Sequence, residues 1–94
     1  MAQKNGDESW NEEIERLDVE IERFTARKHD CEQELRRLLM EEDPGQGRTF
    51  AAEIHALRQE RLKLDVEIEM RRRKKNRILL AREDQGESPP FRAS

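Results

Sequence analysis

From Trp10 to Leu38 the chain sets Trp10, Ile14, Leu17, Ile21, Phe24, Lys28, Cys31, Leu35 and Leu38 at gaps that alternate between four and three. A strict seven-residue repeat of this kind, with Ile14, Ile21, Lys28 and Leu35 at a positions and the others at d, belongs to a helix that supercoils left-handedly against a partner. The same spacing resumes at Phe50 and runs through Ile54, Leu57, Arg61, Leu64, Ile68, Arg71, Lys75 and Ile78. Between the two seams lies Asp43-Pro44-Gly45-Gln46-Gly47, where a missing amide hydrogen and two glycines stop a helix. The pattern predicts an all-α chain with a helix over 9–42, a turn over 43–48 and a second helix over 49–82. Ser9 and Glu12 have the spacing of a capping box for the first helix, and Thr49 is placed to cap the second. Residues 1–8 have no apolar period and read as a mobile tail. Residues 83–94, with Gly86, Pro89 and Pro90, read as a disordered one.

So short a connection allows only an antiparallel hairpin, in which residue i faces about residue 91 minus i. The intramolecular seam then comprises Trp10, Ile14, Leu17, Ile21, Phe24, Cys31, Leu35, Leu38, Ile54, Leu57, Leu64, Ile68 and Ile78. This register sets Trp10 and Ile14 against Ile78-Leu79-Leu80, and Ile21 and Phe24 against Ile68 and Met70. The second helix also carries Leu62, Val66 and Met70 on the side away from its seam, so it needs a second neighbour. Burying such side chains is worth about 1.5–3 kcal/mol each. The expected assembly is therefore a homo-oligomer, a dimer in which two hairpins pair into a four-helix bundle through Leu62, Val66 and Met70. Lys28 and Arg61, polar on the seam, act as register and partner selectors at some cost in stability.

The hexapeptide Leu-Asp-Val-Glu-Ile-Glu occurs at 17–22 and again at 64–69, in one heptad register. The same offset carries Lys28 onto Lys75 and Cys31 onto Ile78. Duplication of one helix and simple helical composition bias both produce such a repeat.

Composition narrows the function classes. With 33% hydrophobic and 44% charged residues the chain lacks the material for a sizeable globular core, and its regular spacing argues for long helices over disorder. The net charge of -3 hides an asymmetry, because residues 1–47 carry 7 Lys and Arg against 14 Asp and Glu, whereas 48–94 carry 12 against 8. The two halves attract. His29 and His55 lack zinc-like neighbours, Cys31 sits on a packed seam, and the Pro-Gly turn lacks the ending of a phosphate loop. Carboxylates on thin exposed helices cannot exclude water for acid catalysis. The expectation is a protein that is not an enzyme, with no catalytic residue, cofactor, metal or small-molecule substrate. A single cysteine, no leader of secretory type and no apolar run near 18 residues make the expected setting intracellular, cytoplasmic or nuclear, without a membrane partner.

One local signal remains, the basic run Arg71, Arg72, Arg73, Lys74, Lys75 and Arg77. As structure it pairs with Glu13, Glu15, Asp18 and Glu20 of the first helix; as function it contacts nucleic acid or an acidic partner, or serves as a targeting signal. The leading expectation is an oligomeric coiled-coil scaffold or adaptor that binds another protein. The alternative is a small dimeric nucleic-acid-binding regulator that uses 71–77. The direction in which the run points separates them.

Overall fold

The computed structural model describes residues 6–47 and 49–85. Two helices, α1 (Gly6–Glu41) and α2 (Ala51–Gln85), pack against each other as an antiparallel hairpin. At 1.5 Å per residue each is about 50 Å long. Their limits differ from the sequence expectation. Because α1 starts at Gly6, Ser9 lies inside the helix, so it is not the N-cap and residues 6–8 are helix, not tail. A good cap marks a favourable start without forbidding an earlier one. At the other end α2 continues through Gln85, while residues 1–5 and 86–94 of the two expected tails lie outside the described residues.

The start of α2 also moves, from Thr49 to Ala51. The Phe50 carbonyl accepts the first helical hydrogen bond from the Ile54 amide at 2.8 Å, and the Phe50 amide donates to Glu42 Oε2 at 3.1 Å. A carboxylate from across the turn thus caps this helix. Phe50 holds a position that favours small polar residues because its ring packs against the cluster of Leu35, Leu38 and Ile54, joined there by Leu57.

In the turn itself Asp43 is extended, with φ -145° and ψ 82°, as the residue before a proline prefers. Pro44–Gln46 form one 3₁₀ turn, in which the Gln46 amide donates to the Asp43 carbonyl at 3.0 Å and the Gly47 amide to the Pro44 carbonyl at 3.1 Å. Gly47 closes it in the left-handed region at φ 74°, the one described residue with positive φ.

The core is a line, not a volume. Leu17, Leu35, Leu38, Ile54, Leu64 and Ile68 are buried. The other members of the two seams, namely Trp10, Ile14, Ile21, Phe24, Lys28, Cys31, Phe50, Leu57, Arg61, Arg71, Lys75 and Ile78, are half-buried. Leu79 and Leu80 are exposed, so of that run only Ile78 sits on the seam. Met70 also faces outward, and the guanidinium of Arg71, not Met70, covers Phe24.

Cross-helix ion pairs report the register. Arg71 Nε donates to Glu20 Oε1 at 3.0 Å, and these residue numbers add to 91. Lys28–Asp65 and Lys75–Asp18, both at 2.6 Å, flank that register on one side, with Arg27–Glu60 at 3.5 Å and Lys74–Glu13 at 3.3 Å on the other.

These pairs are not independent of one another. The 47-residue offset that relates the two hexapeptides carries Lys28 and Asp18 onto Lys75 and Asp65, and Arg27 and Glu13 onto Lys74 and Glu60. Each of these four pairs therefore has an equivalent in the other half of the hairpin, related by a pseudo-two-fold axis, whereas Arg71–Glu20 has none because Phe24 stands where the second arginine would be. Leu17 and Leu64, related by the same offset, are the two most buried residues, at 3% and 2% exposure. On the axis itself the equivalent positions are Phe24 and Arg71, which stack on each other.

Candidate functional site

Two features of α2 compete for a functional role: the basic run over 71–77 and the apolar stripe on the side away from the seam. The run is built by an unbroken helix, so successive side chains rotate by 100° and point to different sides. Arg71 turns inward. It is half-buried, donates to Glu20 at 3.0 Å and to Glu67 Oε1 at 2.5 Å, and lies 4.4 Å from the centroid of Phe24. The hydrogen bond it donates to the Glu67 carboxylate raises its pKa further above the ordinary arginine value, so it stays cationic throughout. Lys75 reaches Asp18 and Lys74 reaches Glu13 on α1, while Arg73 pairs with Glu69 on its own helix at 3.2 Å.

Arg72 and Arg77 are exposed and make no ion pair among the described residues. The same holds for Glu15, which the sequence reading had set opposite the run. Four of the six basic side chains are thus engaged by carboxylates of the hairpin itself, and the two that point outward lie five residues apart on the helix.

Leu62, Val66 and Met70 lie on the other side of α2, at 53%, 57% and 59% exposure. Within the heptad they occupy b, f and c, centred half a turn from the a/d seam, so α1 cannot reach them. Gln59, Lys63 and Glu67 border a shallow groove beside Leu62 and Val66. On α1 the positions equivalent to Leu62, Val66 and Met70 under the 47-residue offset are Glu15, Val19 and Arg23. The two halves match at the central seam positions Leu17 and Leu64, Ile21 and Ile68, and Lys28 and Lys75, and on the outside they share only the valine. Both the stripe and its counterpart positions on α1 are readable from the sequence; the structure adds that Leu62, Val66 and Met70 are left more than half exposed.

At the turn end a solvent-open groove of about 700 Å³ is lined by Leu38, Phe50 and Leu57 together with Glu34, Arg37 and Glu53. Arg37 hydrogen-bonds Glu34 and also pairs with Glu41. That hydrogen bond holds the Glu34 carboxyl below the usual glutamate range, so the group is an anion at neutral pH and unsuited to donate a proton. Cys31 is half-buried on the seam, and desolvation, followed by the nearby Glu60 charge, pushes its thiol pKa up. His29 and His55 are exposed. Among the described residues no group of three His, Cys, Asp or Glu side chains is placed to hold a metal, and no described helix is long and apolar enough to cross a membrane.

No family model, curated protein or solved structure matches the chain. The functional reading rests on these surfaces alone.

Proposed function

We propose that this chain is a non-enzymatic helical-hairpin scaffold that associates with itself through Leu62, Val66 and Met70, and that two hairpins so joined present their remaining faces to another protein. The observation that carries this reading is the contrast on α2: four of the six cations in its basic run are engaged by carboxylates of the hairpin, while three adjacent large apolar side chains are left more than half exposed. Charge pairing of this kind argues against nucleic acid as the principal partner, since phosphate contact needs cations that are free and grouped. Within the basic run the nucleic-acid reading retains Arg72 and Arg77 as cations without an ion pair among the described residues.

Leu62→Glu with Val66→Glu tests the proposal. Burying two unpaired carboxylates in an interface is costly, so sedimentation should show the assembly reduced to a monomer. The seam is untouched, and helicity at high protein dilution should match wild type. An unchanged mass for the double variant, or a wild-type protein that is already monomeric at about 100 μM, where only associations weaker than about 5–6 kcal/mol escape detection, refutes self-association through this stripe. Tight binding of RNA or duplex DNA by the wild type at physiological salt would instead favour the nucleic-acid reading.

A further inference from the structure

The two halves of the hairpin share the seam positions Leu17 and Leu64, Ile21 and Ile68, and Lys28 and Lys75, together with a cross-helix ion-pair scheme, which makes their outer faces worth comparing. Outside the seam the offset replaces Glu15 by Leu62 and Arg23 by Met70, while Val19 and Val66 stay the same. A charged outer ridge on one half is an apolar ridge on the other. Resting on the proposal that the hairpin self-associates through this stripe, we infer that its occupant is the α2 of a second copy, lying antiparallel across a two-fold axis at Val66.

The self-complementarity of the face about that residue carries the inference. Leu62 and Met70 stand four positions before and after Val66, so a two-fold there sets each Leu62 against the partner's Met70. Lys63 and Glu69 stand three before and after, and meet as opposite charges. Gln59 and Arg73 stand seven before and after, and meet as acceptor and donor. Gln59, Leu62, Lys63 and Val66 are spaced i, i+3, i+4 and i+7, which is the four-residue hole that receives a knob in helix packing, and a groove already lies there. The two-fold delivers the partner's Met70 into it. An adaptable thioether suits such an irregular gap.

A parallel arrangement fails on charge. In register it opposes Lys63 to Lys63, Glu69 to Glu69 and Arg73 to Arg73; the Arg73–Glu69 pair within each helix offsets the last two, but Lys63 is left against Lys63 with no counter-charge. Lys63 makes no ion pair among the described residues and is available for the antiparallel contact.

The axis also fixes the shape of the assembly. Seating a knob in a hole of this spacing keeps the two α2 helices within about 20° of antiparallel. Since the ridge is opposite the seam, the four helices lie in the order α1, α2, α2, α1 as an open layer, in place of the closed four-helix bundle that the sequence suggested. Within that layer the outward-facing Arg72 and Arg77 of the two copies flank the axis on opposite sides.

A charge-swap series measured by sedimentation equilibrium tests the geometry. Lys63→Glu alone and Glu69→Lys alone each convert two symmetry-related attractions into repulsions, so each should weaken the dimer by about tenfold. Lys63→Glu combined with Glu69→Lys restores opposite charges and should recover wild-type affinity to within about threefold. Lys and Glu have similar helix propensity, so circular dichroism should show the monomer intact in all three. Single variants that leave the dimer unchanged, or a double variant no better than either single, would overturn the antiparallel two-fold while leaving self-association standing. A double Leu62→Glu, Val66→Glu protein that still dimerises would sink both.

Discussion

Replacing Arg71, Arg72 and Arg73 by Gln one at a time separates a packed cation from solvated ones on a single stretch of helix. Gln is nearly as good a helix former as Arg, so backbone propensity contributes little. Arg71 loses its pair with Glu20, partly shielded at 24% and 35% side-chain exposure and worth about 1 kcal/mol, its pair with Glu67 one turn away, worth about 0.3–0.5 kcal/mol, and its stack on Phe24, worth about 0.5–1 kcal/mol. The expected loss is about 1.8–2.5 kcal/mol, which for a domain of this size lowers the melting temperature by about 7–20 °C. Arg73 pairs only within its own turn, at 74% and 53% exposure, so Arg73→Gln should cost about 0.3–0.5 kcal/mol. Arg72 has no such contact, and Arg72→Gln should lie within about 0.5 kcal/mol of wild type. Melts followed by circular dichroism at one protein concentration resolve these differences, and that control matters because association makes the melting temperature concentration-dependent. High salt should shrink the Arg71 effect without abolishing it, since the contact with the ring is screened less than the exposed part of the ion pair. Equal losses for all three variants would show that the basic run acts through its summed field. Under that result the specific contacts of Arg71 would lose their explanatory role.

The turn and the lone thiol supply the remaining predictions. Gly47→Ala should cost about 1 kcal/mol because φ is 74°, whereas Gly45→Ala should be neutral or slightly stabilising, since φ there is negative and the nearest neighbour of an added methyl, Asp43 Oδ1, lies at an ordinary 3.5 Å; chemical denaturation of the two variants side by side checks the contrast. Cys31 should alkylate more slowly than a free thiol at neutral pH, and its rate should keep rising above the pH at which an ordinary cysteine levels off. The pKa is raised by desolvation, so the protonated form persists to higher pH; a rate profile matching free cysteine would refute the half-buried placement on the seam.

Much of this architecture was written in the order of residues. The alternating four and three spacing from Trp10 to Leu38 and from Phe50 to Ile78 determined two helices, their inward faces and an antiparallel hairpin, because a period depends only on local helical geometry. Pro44 and Gly47 placed the reversal for the same local reason. The helix limits were less legible. Phe50 occupies the cap position only because its ring joins Leu35, Leu38 and Ile54 and because Glu42, eight residues away, accepts its amide hydrogen bond. Neither contact exists until the chain has turned. The fate of the basic run was likewise a matter of rotation and register: a row of cations in sequence becomes Arg71 on a phenyl ring, Lys74 and Lys75 on carboxylates of α1, and Arg72 and Arg77 in solvent. The repeated hexapeptide was visible as a string, but its meaning as a pseudo-two-fold came from seeing Lys28 on Asp65 and Lys75 on Asp18 at the same 2.6 Å. Sequence determines what each helix offers on each face; which of those offers are taken up depends on which helix lies alongside, and only tertiary packing decides that.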